Sequence, residues 1–418
     1  MSRGSSLFFH ADFRRLWAGD TASQLGTFVG NTAVPLLAVV TLAATPFEMG
    51  LLTAAETLAF LLLGLPAGVW VDRLRRRRIM LAADFTRFAL LLTVPLAWWA
   101  GILTLFQLLV VVLLVGIATV FFDVAYQSYL PSLVGREHLL EGNAKLQSVQ
   151  SVAMIAGPSG AGVLVQLVTA ANTVLITGLG YLTSALCLLR IRAVEPEPER
   201  GGHAPLSRQI GEGLRFVFAD KPLRAIVACT AIANLFDAAF TAVRVLFLTR
   251  TLGLTPAVVG LVLGVGGAGG ILGALCSRAI TRRIGQARAI WLVPLLTMPA
   301  YLLVPLAAPG WRLVLAGFGL AVMAFGIIVY NVAGVSYRQA ICPDRLLGRM
   351  NASVRFVVWG TIPLGGLLGG ALGEWLGLRT AVWVAVAGTI SAVAWVVFSP
   401  LRHMRDLPTS AETGSGAA

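Results

Sequence analysis

The sequence predicts an all-α membrane protein of twelve transmembrane helices arranged as two pseudo-symmetric six-helix bundles. Three observations carry that expectation. Apolar residues fill 57% of the 418 positions and charged ones only 12%, more apolar surface than a soluble domain of this length can bury. Apolar runs of roughly 20 residues, the length that crosses a bilayer as a helix, recur along nearly the whole chain. The second half also repeats the first. Spanning strands would need alternating segments of about ten residues, which the sequence lacks.

The start, MSRGSSLFFHADFRRLW, is polar and basic and has no apolar core before a small-residue cleavage site. The first helix is therefore expected to stay in the membrane. The apolar runs place helices near 16–43, 49–71, 79–99, 103–130, 141–168 and 172–190, then 222–250, 256–279, 288–307, 312–339, 346–374 and 380–400. The connecting loops sort by charge. One set carries Arg14 and Arg15, the cluster from Arg73 to Arg78, Arg136 with Lys145, and the basic residues from Arg190 to Arg224. It continues with Arg278 to Arg288, Arg338, Arg345 and Arg349, then Arg402 and Arg405; the opposite set has only Arg250, Arg312 and Arg379. Basic loops stay on the cytosolic side, so both termini are expected there, in a multi-pass cell (inner) membrane protein. The net charge of +13 serves insertion, and no nucleic-acid partner is expected.

Residues 193–205, AVEPEPERGGHAP, interrupt the pattern as a Pro- and Glu-rich linker. In LSRQIGEGLRFVF, which follows, Leu206, Ile210, Leu214 and Phe218 stand four apart, as in an amphipathic helix lying on the inner membrane surface. The expected organisation is an N-terminal bundle (1–191), a cytosolic linker with that helix (192–220), a C-terminal bundle (221–403) and a disordered tail (404–418). Cys187, Cys229, Cys276 and Cys342 lack metal-site spacing and read as free thiols. His10, His138, His203 and His403 lie in loops or ends with no nucleophile around them, which argues against an enzyme. No phosphate-binding Gly-Lys-Ser/Thr loop is present. Neither a metal nor a cofactor is expected.

Shifted by 208 residues, positions 123–164 match the second half at about a quarter of sites, including Ser128/Ser336, Tyr129/Tyr337, Asn143/Asn351, Gly157/Gly365 and Gly162/Gly370. A parallel repeat of six helices is an architecture of alternating-access transporters. A polar stripe repeats as well. Asp20, Gln24, Thr27 and Asn31 on the first helix fall over Thr230, Asn234, Asp237 and Thr241 on the seventh under a shift of 210, with Arg244 extending the second stripe. Spacings of three and four stack these side chains on one helical face. Polar groups facing lipid are costly, so each stripe is expected to face the bundle interior or a watered cavity. For any single Thr or Asn, hydrogen bonding between helices is the favoured reading. Tyr330 and Asn331 on the tenth helix join the cavity candidates.

Asp237 and Arg244 stand seven residues apart, roughly 10 Å along the axis, too far for a simple adjacent pair, so each needs a further partner. Glu56, about two turns from the outer end of the second helix, is the other isolated acid. Intramembrane carboxylates are candidate proton sites, because loss of hydration favours the neutral form. The candidates rank Asp237, then Asp20, then Glu56. Asp84 and Arg87, at i and i+3, are expected to pair with each other.

The stretch GVWVDRLRRR, holding Gly68, Asp72, Arg73 and Arg76, resembles the loop motif between the second and third helices of the major facilitator superfamily. AMIAGPSGAG, holding Gly157, Pro158, Gly160 and Gly162, resembles the fifth-helix packing motif of its drug–proton antiporter branches. FRRLWAGD, YLPSLV and EGNAKL are most similar to the branch that includes macrolide and siderophore exporters. Arg75 replaces the usual loop glycine, Ala153 and Ala161 replace glycines of the second motif, and Arg282 and Arg283 fall over Asp72 and Arg73 in the second half. The resemblance implies the major facilitator fold. It also implies a gate in which Asp72 caps the eleventh helix near Leu346 to Met350 while Arg76 meets Asp123. A carboxylate at a helix N-terminus is physically sound there. Loop topology alone explains Arg75, Arg77 and Arg78.

The resulting expectation is an exporter of an amphipathic small molecule, drug-like or a natural product, working by proton antiport. Its partners would be that substrate, protons and the bilayer, and a single chain would suffice. A dedicated siderophore or metabolite exporter is the first alternative; a non-transporting scaffold or sensor is the second.

Overall fold

The computed structural model describes residue 7 and residues 10–72, 74–134, 138–193, 206–342 and 344–406, with side chains at 65, 68, 69, 72, 128, 132, 140, 206–210, 213 and 344–349 left undescribed. The tail beyond 406 and most of the 193–205 linker lie outside the described residues, as does Arg73.

Among the described residues every regular element is a helix. The first half contains α1 (Ala11–Leu36), α2 (Pro46–Asp72), α3 (Arg76–Trp99), α4 (Leu105–Val134), α5 (Leu139–Val168) and α6 (Ala170–Leu189). A separate helix, α7 (Leu206–Ala219), occupies the stretch expected to be amphipathic. Its Val217 is buried while Phe218 is exposed, and it packs against α12. The second half contains α8 (Lys221–Leu246), α9 (Pro256–Ile284), α10 (Gln286–Thr297), α11 (Leu313–Ile341), α12 (Asp344–Leu376), α13 (Leu378–Ser391) and the short α14 (Val393–Val397).

Eleven of the described helical segments are long and apolar enough to cross a membrane. The ninth predicted span, near 288–307, has a different form: α10 ends at Thr297 and continues as a 3-10 segment, Met298–Leu303. Pro294 and Pro299 explain the change, since proline removes a backbone N–H and its ring clashes with the preceding turn.

The internal repeat is visible in the backbone. In the first half α1 packs on α5 and α6, and α3 on α4 and α6; in the second α8 packs on α12 and α13, and the α10 segment on α11 and α13. Each first helix ends in a π-helical turn, Leu37–Thr41 and Phe247–Thr251, 210 residues apart. The left-handed backbone positions repeat too: Ala43 with Gly253, Gly101 with Gly310, Thr169 with Gly377.

Thr169 stands out among these. Its φ of 77° and ψ of 159° match the 83° and 156° of Gly377, a region that essentially only glycine occupies and that costs other residues about 1–3 kcal/mol. Glycine gives back some of that through greater unfolded-chain freedom. Thr169→Gly is therefore expected to stabilise the protein by about 1 kcal/mol, read as a raised unfolding midpoint in detergent; a lowered midpoint would show that the threonine side chain outweighs the strain.

The basic loop after α2 has a structural role beyond topology. Arg77 donates from Nε to the carbonyl of Leu188 (3.0 Å) and from a terminal nitrogen to that of Leu189 (2.8 Å). It thus satisfies carbonyls at the end of α6, where a cation also complements the helix dipole. Arg379 does the same for the carbonyls of Pro305 and Ala307.

By contact density the chain forms two compact units. The first comprises Met1–Thr45, Ala55–Gly202 and Leu254–Gly264; the second comprises Pro46–Ala54, His203–Gly253 and Val265–Ala418.

Candidate functional site

In the first unit, polar side chains from four helices converge. Asp84 and Arg87 sit one turn apart on α3 and form an ion pair, as their spacing predicts, with exposures of 0% and 2%. A guanidinium this deep in protein needs more than one carboxylate to replace its water. Aromatic faces supply the rest: the Arg87 carbon lies 4.3 Å from the ring centre of Phe122 on α4 and 4.1 Å from that of Tyr181 on α6. Such stacking is worth roughly 2 kcal/mol when desolvated. The Tyr181 hydroxyl in turn bonds that of Thr27 at 3.0 Å, fastening α6 to the α1 stripe. Arg87 Nε keeps no hydrogen-bond partner among the described residues.

Two further carboxylates surround this pair. Asp123, on α4, has Arg87 as its electrostatic neighbour, a partner that the sequence did not indicate. Asp20, 5% exposed on α1, faces Tyr126 and Gln24 and lies within electrostatic reach of both Asp123 and Asp84. Three acids and one arginine thus share one interior site. Asn31 ends the same stripe but is exposed.

In the second unit, Asp237 on α8 accepts a hydrogen bond from the hydroxyl of Tyr301 at 3.4 Å. Tyr301 is fully buried and meets Phe240 edge-on, ring centres 5.3 Å apart. Arg244 is in electrostatic reach of Asp237 and its Nε has no described hydrogen-bond partner. Thr241, half-buried, lies between them on α8.

The other end of the α8 stripe opens on a cavity of about 540 Å³ formed with α11 and α12. Thr230, Asn234, Tyr330 and Asn331 line it. The Thr230 and Tyr330 hydroxyls bond at 2.8 Å, Tyr330 donates to the Ile226 carbonyl at 3.0 Å, and Asn234 donates to the Val358 carbonyl at 3.2 Å. These side chains therefore tie helices together and line a cavity at once. Arg338, expected only as a topological charge, and Arg355, not expected at all, line it too; an arginine inside an apolar span was the signal that could have found Arg355.

The remaining described candidates lie on α2, α3 and α5. Glu56 is exposed on α2. Asp72 is the last residue of α2 and Arg76 the first of α3; the side chains of Gly68, Asp72 and residues 344–349, and all of Arg73, lie outside the described residues, so the Asp72 arm of the gate expected there does too. Gly157 packs against Phe28 of α1, while Pro158 and Gly162 pack against Gly260 of α9. Gly160 is different: a Cβ built there meets nothing within 4 Å, so no neighbour requires that position to be small.

Comparison with known proteins agrees with this architecture. A family model described as transmembrane secretion effector matches residues 4–413. The multidrug efflux pump Tap of Mycolicibacterium fortuitum is 27% identical over 381 residues, covering 86% of this chain and 89% of that protein. The MFS-type transporter YfiS of Bacillus subtilis is 28% identical over 387 residues, 88% of each chain. Among solved structures, the nucleoside transporter NupG superposes with a TM-score of 0.76 at 12% identity, over 92% of this chain and 98% of that one. A bacterial homologue of ferroportin in its inward-facing state gives 0.74 at 14%, over 92% and 98%. At those identities the structures speak for the fold alone. Helix repeat, polar interior and family match together place this chain in the transmembrane secretion effector family, as a multi-pass transporter of the major facilitator superfamily.

Proposed function

We propose that this transporter exports an amphipathic small molecule in exchange for protons, by alternating access, from a cell membrane in which both termini face the cytosol. The observation that carries the proton step is the first-unit cluster. One guanidinium balances one carboxylate; Arg87 faces Asp84 and Asp123, and Asp20 adds a third acid within electrostatic reach of both. Binding a proton is the remaining way to balance charge where water is excluded. An antiporter needs a site that trades protons while its helices stay packed, and the aromatic clamp on Arg87 supplies that scaffold. Asp237, ranked first from the sequence and held here by Tyr301, is the proton candidate of the second unit. Export, rather than uptake, is supported by the efflux pump among its relatives. The interior's mixture of polar side chains and valines suits a substrate that is polar at one end and apolar at the other.

The test is a transport screen of purified protein in proteoliposomes, using cationic, neutral and anionic amphiphiles with and without an imposed pH gradient. At least one compound is expected to move only with the gradient. Asp20→Asn should abolish that gradient-driven movement while leaving exchange at equal pH. Transport indifferent to the gradient, or full coupling in both Asp20→Asn and Asp237→Asn, would refute the antiport reading.

A further inference from the structure

The second-unit cavity carries a charge that nothing in the proton step uses. Arg338 near the end of α11 and Arg355 in α12 both line it, and both lie inside segments apolar enough to cross a membrane. A basic residue serving only topology extends its head group to the membrane surface. Arg338 does not fit that picture: its Nε is buried and has no hydrogen-bond partner among the described residues. Arg355 lies within electrostatic reach of it, so two like charges face one concavity. No carboxylate stands among the described lining residues. The guanidinium of Arg355 is 5.5 Å from the ring centre of Trp359, and Val354 and Val358 line the same wall. A volume of about 540 Å³ falls within the range of small-molecule sites.

We propose that this cavity recognises an anionic group, a carboxylate or phosphate held between Arg338 and Arg355, on an amphiphile whose apolar body lies against Trp359 and the valines. An anion between the two guanidiniums removes their mutual repulsion and gains charge-assisted hydrogen bonds with the fork geometry that arginine offers. Asn351 and Asn331, lining the same cavity, supply neutral polar groups beside it. The inference deepens the exporter reading by giving the sign of the substrate's charge, and it rests on that reading for the word substrate.

Naphthylacetate and naphthylacetamide test it, being matched in size and differing in charge. Calorimetric titration of the full-length protein in phosphatidylcholine nanodiscs is expected to give at least about tenfold tighter binding of the acid, within the range of a charge-assisted hydrogen bond. Arg338→Gln with Arg355→Gln should bring the two affinities together, and Arg338→Lys with Arg355→Lys should keep some of the preference. Because the side chain of Arg355 is exposed, Arg355→Gln alone is expected to fold and to lose some of the preference even if the double variant does not fold. Equal affinities in the wild type, or a preference surviving Arg355→Gln undiminished, would overturn the proposal. Repeating the titration with phosphatidylglycerol added separates the two sources of such an anion. Unchanged binding assigns the site to a soluble molecule, whereas displacement by the lipid assigns it to a headgroup and overturns the substrate assignment. None of these arms measures transport, so their failure leaves the exporter reading standing. Intact naphthylacetate binding with no transport of any amphiphile would defeat that reading alone.

Discussion

Arg87→Met is expected to cost the protein about 3–5 kcal/mol, the penalty for leaving one member of a buried ion pair without its partner. Methionine keeps an unbranched apolar stem between Phe122 and Tyr181 but removes the cation from both ring faces, and Asp84, 0% exposed, then has no opposite charge. Arg87→Lys should fall between, because an ammonium keeps the charge but cannot lie flat against two rings as a guanidinium does. Combining Arg87→Met with Asp84→Asn should recover a substantial share of the loss, since removing both charges costs much less than stranding one. Unfolding midpoints of the wild type, Arg87→Met, Asp84→Asn and the double variant in the same detergent measure the cycle. A single variant as stable as the wild type would show that the Asp84–Arg87 pair contributes nothing to folding. The same substitution removes a cation within electrostatic reach of Asp123, so any Arg87→Met protein that folds is also expected to lose gradient-driven transport.

How much of this was legible in the sequence depends on the kind of signal. Apolar runs and loop charge are local, and they located the spans, with the exception of the segment where Pro294 and Pro299 convert helix into a 3-10 turn. Spacing along one helix is local too, so the stripes on α1 and α8 and the Asp84–Arg87 pair could be read directly. Partners on other helices could not. Tyr301 lies 64 residues beyond the Asp237 it bonds, and Thr27 reaches Tyr181 across 154. Arg77 looked like any loop arginine because its function, closing the end of α6, depends on where a helix 111 residues later stops. Arg338 was counted as a topological charge for the same reason: only its buried Nε and its neighbour across the cavity distinguish it. The glycine motif was legible as a motif but not residue by residue, since a pattern cannot say which of its glycines faces a neighbour.

Gly162→Val and Gly260→Val should each destabilise the protein by about 1–3 kcal/mol or more, the range for overpacking a close contact, while Gly160→Val should change stability by less than about 0.5 kcal/mol. A Cβ on Gly162 would stand 3.0 Å from the Cα of Gly260, and one on Gly260 2.9 Å from the Cα of Gly162, so neither helix can accommodate it without moving. The obstruction is backbone, not the flexible end of a side chain, and no rotamer change relieves it. The repeat supplies an internal control. Gly50, which corresponds to Gly260, crosses Gly370, which corresponds to Gly162, with Cα approaches of 2.9 Å in both directions. Each crossing lies where a segment of one sequence repeat, Leu254–Gly264 or Pro46–Ala54, joins the compact unit built mainly from the other. Gly50→Val and Gly370→Val should therefore match the first pair in cost. A transporter that cycles between two packings has to open some close contacts and later remake them, so a residue that obstructs a crossing disfavours the packing in which it is closed. The expected signature is slower transport in all four obstructed variants and a wild-type rate for Gly160→Val. Unaltered transport in the four, despite lowered unfolding midpoints, would mean that the crossings are fixed joints, closed throughout the cycle.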